Sequence, residues 1–318
     1  MPEPVIKTSA PGSAMLMGEH AVVYGHPAIV CALDCVINVE LSPRKDREIN
    51  IYSDQLGKYH TDLDTISIAA PFSFVLASIE FFKAQLSNGF DLSIRTEFAH
   101  NLGLGSSAAV TVAMMAAINR LLARTITPIA LLEQARTVVR RVQGMGSGAD
   151  VAASVFGGMI YYHPRSLSIK QAEHFPELSL LYSGSKTPTA DVVKKLADEA
   201  KKYPERYDAM YTQIATLVEK AWSAMIARDW HSLAEQMGAQ QALMEKLALS
   251  NAWLDGLLLQ LRQMPGILAA KLSGAGLGDC FITLGKLPDN YFPVNTAQKN
   301  AGVRQIDVRV EKQGVRYL

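Results

Sequence analysis

Residues 101–109 read Asn101-Leu-Gly-Leu-Gly-Ser-Ser-Ala-Ala109, and the reading of this stretch decides the fold. Its two glycines let the backbone approach a ligand closely, and its two serines stand where a helix begins. The run 106–123 (SSAAVTVAMMAAINRLLA) puts Val110, Ala113, Met114, Ala117 and Leu121 on one helical face, with the opposite side mostly small or apolar. A buried helix is therefore expected to start at the glycines and to present unpaired N–H groups and its positive dipole end. Two readings stay open. The loop is either a phosphate cradle, in which Ser106 or Ser107 adds an oxygen ligand for magnesium, or a glycine turn with a serine cap. Its spacing fits neither the G-x-x-x-x-G-K-[ST] loop nor the dinucleotide G-x-G-x-x-G pattern.

Outward from this loop lie three more clusters. Gln143-Gly-Met-Gly-Ser-Gly-Ala-Asp150 runs into an apolar helix. Asp150 reads as a helix-start carboxylate, or as the acceptor of a proton from a substrate hydroxyl. Lys271-Leu-Ser-Gly-Ala-Gly-Leu-Gly-Asp-Cys280 lies between strand-like runs and is longer than most hairpin turns, which leaves a plain turn or a ligand-facing loop. The N-terminal stretch 10–28 places Glu19 and His20 after Gly18 beside an apolar run. Charge in such surroundings is costly to bury unless paired or put to use, and a surface or salt-bridged Glu19 is the ordinary alternative.

The remaining pattern is mixed. Runs 5–9, 28–30, 36–41, 48–52 and 91–96 read as strands, and 71–85 and 128–142 as helices, the second opening on Pro128 and closing on Arg140 and Arg141. After a strand-like MIYY at 159–162, residues 189–263 are nearly all helical by period, 267–272 and 280–284 form a strand pair, and 303–310 is a last strand. This order predicts an α+β protein rather than a doubly wound parallel sheet, with a boundary near residue 160 separating domains 1–160 and 161–318.

Bulk properties narrow the function classes. The chain has 318 residues, 49% of them hydrophobic and 19% charged, enough for about two domains with a sizeable core. With 31 basic against 30 acidic residues, nucleic acid and anionic membranes lack an electrostatic footing as the main partner. Cys31, Cys35 and Cys280 are too few and too scattered for a disulfide framework or a zinc site, and read as free thiols in a reducing compartment. Residues 1–10 lack a signal-peptide pattern and no apolar run reaches the ~18 residues of a membrane span, so a soluble, cytoplasmic protein is expected.

Taken together, P-G-x-x-x-L-x-G-E-H-A-V-V-Y-G-x-P-A at the N-terminus, G-L-G-S-S-A-A at 103–109 and G-A-G-x-G-D-C at 274–280 resemble the three motifs of the GHMP kinases, in the family's order. The first motif is similar to that of the mevalonate kinase branch. The glycine clusters at 146–153 and 274–280 look more like those of phosphomevalonate kinases. The resemblance implies a GHMP kinase fold, in which a domain like the second domain of ribosomal protein S5 precedes a ferredoxin-like domain.

It also implies ATP and Mg2+ in the cleft between them, with the phosphates on Asn101, Leu102, Gly103, Leu104, Gly105, Ser106 and Ser107. By the same resemblance Ser107 would hold the metal, Asp150 would be the base, and Glu19, His20, Gly274 and Ala275 would lie on the substrate side. The implied reaction is phosphorylation of mevalonate to 5-phosphomevalonate, with a homodimer as an open expectation. Two family positions depart: Ser13 stands where members carry lysine, and Val139 where mevalonate kinases carry a metal-binding glutamate. Arg140 or Arg141 is the candidate substitute cation, and Arg140, Arg141 and Lys186 are the candidates for the extra phosphate a phosphomevalonate substrate would carry, with helix-end positions as the ordinary alternative for both arginines. Phosphomevalonate kinase and a catalytically weak metabolite- or nucleotide-binding relative remain alternatives, and a dinucleotide oxidoreductase lacks the required glycine spacing.

Overall fold

The structure, a computed structural model, describes residues 5–97 and 102–318. In chain order its first half holds β1 (Ile6–Met17), β2 (Ala28–Pro43), β3 (Glu48–Ser53), β4 (Gly57–Asp62), α1 (Ser73–Phe82), β5 (Phe90–Thr96), α2 (Ser106–Leu121), α3 (Pro128–Gln143) and α4 (Ala149–Phe156). The second half holds β6 (Met159–His163), β7 (Ser168–Gln171), β8 (Leu178–Tyr182), α5 (Thr189–Lys202), α6 (Pro204–Ile226), α7 (Trp230–Lys246), α8 (Ala252–Arg262), β9 (Ala269–Ser273), β10 (Cys280–Leu284), α9 (Thr296–Ala301), β11 (Arg304–Ile306) and β12 (Arg316–Tyr317).

The first sheet runs β12-β1-β2-β5-β3-β4, with β6 added on the other end of β2 and β7 on β6. Among the described residues only β3 and β5 pair in parallel. The two short strands expected at 28–30 and 36–41 are one, β2, because β1 pairs with it from Ile29 to Leu41. A register shift at Pro11/Gly12 absorbs the Pro-Gly pair that reads as a break in the sequence. The polar edge strand β4 (GKYHTD) was missed, since little of it is buried and no alternation marks it. Apolar α2 packs on β1 and β2 and is flanked by α1, α3 and α4, which accounts for its nearly continuous burial.

The second sheet is antiparallel and ordered β11-β8-β10-β9. With helices after β8 and between β10 and β11, the chain traces β-α-β-β-α-β with spatial order 4-1-3-2, the ferredoxin-like pattern. The last strand is shorter than 303–310; Val310 instead bridges to Leu33 in the first sheet. The expected boundary near residue 160 falls inside β6. Sheet membership changes between β7 and β8, and β12 returns the chain's end to the first sheet. The two layers meet where β1 approaches β9, β10 and α7. Among the described residues no helix is long and apolar enough to cross a membrane.

Candidate active site

The loop ahead of α2 is pinned from behind. Leu102 and Leu104 are buried; the Leu102 carbonyl accepts from the Cys280 thiol at 3.1 Å, and the Leu104 carbonyl accepts from Ser13 N–H at 3.0 Å. Gly103 and Gly105 both sit in the left-handed region, at φ +72° and +65°. A Cβ on Gly103 would stand 2.9 Å from the Asp279 carboxylate, and one on Gly105 would stand 2.0 Å from Ser13 Oγ. Only glycine fits either place. Gly103, Gly105, Ser106 and Ser107 line a cleft of about 410 Å3, into which the first turn of α2 opens. Asn101 lies outside the described residues.

Asp150 enters the same cleft from the first turn of α4, presented by Gly148 at φ +88°. Ser13 Oγ donates to Asp150 Oδ1 at 2.8 Å. Burial raises the Asp150 pKa above the ordinary carboxylate range, and the Ser13 hydrogen bond opposes that rise. The position is braced: Ser154 donates to the Pro11 carbonyl at 2.8 Å, tying α4 to β1, and Tyr162 donates to the Ser147 carbonyl at 2.8 Å. Val139 lines the cleft as an apolar wall.

Arg140 and Arg141 are not cleft residues. Arg140 donates to the Gly146 carbonyl at 2.8 Å, and Arg141 pairs with Glu80 at 2.9 Å. At the end of α3 they stabilise a helix terminus and a surface contact. Lys186 is the cation among the described lining residues.

The loop between β9 and β10 closes the other side through Gly274, Ala275 and Asp279. Gly274, Gly276, Leu277, Gly278 and Asp279 all have positive φ, so the loop folds back on itself instead of forming a hairpin turn. Asp279 N–H donates to the Ser185 carbonyl at 2.8 Å, and the Asp279 carbonyl accepts from Ser183 N–H at 2.9 Å. Burial pushes the Asp279 carboxyl up to about 6, although nearby Lys186 acts the other way.

Glu19 and His20 lie behind this loop and do not line the cleft. Glu19 forms an ion pair with fully buried Lys271 of β9 and accepts from Gln240 of α7, whose Oε1 accepts from Gly18 N–H at 3.0 Å. Burial lowers the Lys271 pKa, and Glu19 acts against that. His20 Nε2 lies 2.8 Å from the Ala275 carbonyl, and burial lowers its pKa to about 4, so the neutral ring donates this bond. Glu19 and His20 are thus held behind the loop by Lys271, Gln240 and the Ala275 carbonyl. Their burial was legible as a cost, and pairing is what met it. Lys271 and Gln240 were missed; a lysine inside the apolar run Ala269-Ala-Lys-Leu was the available signal.

The described residues contain no group of three or more His, Cys, Asp or Glu side chains suited to a metal. Magnesium does not need one where phosphates supply ligands, because it keeps waters and takes one or two carboxylates. Ser107, Asp150 and Asp279 in one cleft meet that requirement.

Residues 73–158 match the family model described as GHMP kinases N terminal domain, and residues 221–290 that described as GHMP kinases C terminal. The mevalonate kinase of Thermococcus sibiricus is 30% identical over 98% of this chain and 98% of its own. That of Pyrococcus abyssi is 31% identical over 98% and 97%. The structure of Lactococcus lactis galactokinase superposes with a TM-score of 0.83 at 20% identity, covering 99% of this chain and 96% of that one, a likeness of fold. A pinned glycine loop before α2, a braced aspartate opposite it and end-to-end similarity to these enzymes lead to one assignment: the chain belongs to the GHMP kinase family.

Proposed function

We propose that the chain transfers the γ-phosphoryl group of ATP to mevalonate, giving 5-phosphomevalonate and ADP. The observation that carries the reading is the Ser13–Asp150 hydrogen bond, set against a phosphate-type loop in a chain that aligns end to end with mevalonate kinases. In this reading the N–H groups at Gly103–Ser107 and the dipole of α2 hold the triphosphate. Asp150, kept in place by Ser13, orients the attacking hydroxyl and accepts its proton. Magnesium supplies charge neutralisation at the phosphates, and Ser107 is proposed as one of its ligands. Lys186 contributes the positive charge that Ser13 does not. Gly274 and Ala275 border the substrate, while Glu19 and His20 act on that border through Lys271 and the Ala275 carbonyl.

A cytoplasmic location belongs to the same reading, supported by three free thiols. Burial drives Cys31 and Cys35 up to about 12, so both stay protonated. A homodimer is the assembly to be tested by sedimentation. The deciding measurement is coupled ADP release with mevalonate, phosphomevalonate, homoserine and galactose side by side. Mevalonate should give the highest kcat/KM, because Lys186 is the one cation among the described lining residues and a second phosphate calls for more. A preference for phosphomevalonate would overturn the substrate and leave the family assignment standing.

A further inference from the structure

The cleft lining among the described residues supplies two carboxylates, Asp150 and Asp279. Asp150 already accepts from Ser13 and is taken up by the proposed proton transfer. Asp279 has no such employment. It is 4% exposed, and its Oδ1 has no hydrogen-bond partner among the described residues. A buried carboxylate oxygen without a donor is destabilising and calls for an explanation, of which an ion is one.

Its position is imposed by the backbone. Asp279 holds φ +60°, anchored on one side by Ser185 and on the other by Ser183, and it follows Gly278 at φ +148°. A side chain at position 278 would meet the Ser185 carbonyl at 2.8 Å. The loop thus holds the carboxylate against Gly103, where the absence of a side chain leaves room for it beside the phosphate loop. Across the same cleft stands Ser107, and Val139 adds no oxygen. Lys186 is the charged group that faces Asp279.

We propose that Asp279 is the protein carboxylate that ligates the divalent cation carried by the nucleotide, completing with Ser107 the ligand set that the cleft offers. The assignment rests on the kinase reading and names a residue of the β9–β10 loop, not of α3, as the metal-side acid. Hard divalent cations take oxygen ligands, and for magnesium one carboxylate with phosphates and waters is a sufficient set.

Mn2+ is the probe, because its free form is read directly by electron paramagnetic resonance. With the full-length protein and ADP, Asp279→Asn should weaken Mn2+ binding at least about tenfold, since a charged ligand is replaced by a neutral one of the same shape. ADP affinity in EDTA should stay within about twofold, which reports an intact loop. Asp279→Ser serves the same comparison should the asparagine variant fail to fold. Mn2+ binding equal to wild type in a folded variant overturns the assignment of Asp279 alone. A wild-type protein that binds no ADP overturns the kinase reading with it.

Discussion

At the scale of single residues, Ser13 is the instructive position. It interrupts the resemblance to the family, yet its side chain is placed: buried, packed against Gly105 and bonded to Asp150. A hydroxyl that donates to a carboxylate favours its charged form, so Ser13 holds down a pKa that burial raises. Ser13→Ala removes the hydrogen bond that opposes the rise. The low-pH limb of kcat/KM should therefore move to higher pH, since proton transfer needs Asp150 ionised and the variant protonates it sooner. Asp150→Asn keeps the shape and removes the base, and should lower kcat by ~10²–10⁴ with little change in ADP binding. A pH profile unmoved in Ser13→Ala, or full turnover in Asp150→Asn, would return Asp150 to the role of a helix-start carboxylate. The placement of the glycine pair ahead of α2, and of Ser107 and Asp150 in the first turns of α2 and α4, was legible in sequence because loop and helix-start chemistry is local. The idleness of Asp279 was not, because a missing hydrogen-bond partner is a property of space rather than of order along the chain.

Between elements, the Glu19–Lys271–Gln240 group joins the turn after β1 to β9 and α7. Both charges are almost fully buried, so each depends on the other for its solvation. Lys271→Met alone should cost roughly 3–5 kcal/mol in urea unfolding, by leaving an unpaired buried carboxylate. Adding Glu19→Gln should recover most of that loss. Additive losses in the double variant would show that the two side chains contribute separately. Periodicity gave α2, α3 and the helical stretch 189–263, whose apolar faces repeat at helical spacing. It did not give the continuity of β2, which is set by its pairing with β1, nor β4, whose residues bury too little to leave a pattern.

For the whole molecule, the contact between the two sheets has a built-in acid limit. His20 is neutral when folded, with a pKa near 4 against an ordinary value of 6.5. Below pH 6.5 the unfolded chain binds a proton that the folded chain refuses, so stability is complete above pH 6.5 and falls as pH drops toward 4. The loss is roughly 3 kcal/mol over that window. His20→Asn should flatten this part of the stability–pH curve, measured by denaturant unfolding; an unchanged slope would remove His20 from the linkage. Taken by itself, the sequence determined the kinase family, the α+β order of elements and the glycine turns ahead of the helices, because glycine spacing, caps and apolar period are written locally. Only the tertiary structure decided that Glu19 is neutralised by Lys271, that Arg140 and Arg141 serve a helix end, and that Asp279 lies against Gly103 with an oxygen that has no partner among the described residues. Those outcomes depend on which distant groups share a buried space. There burial penalises any charge or polar atom left without a partner, and the partner can lie more than two hundred residues away.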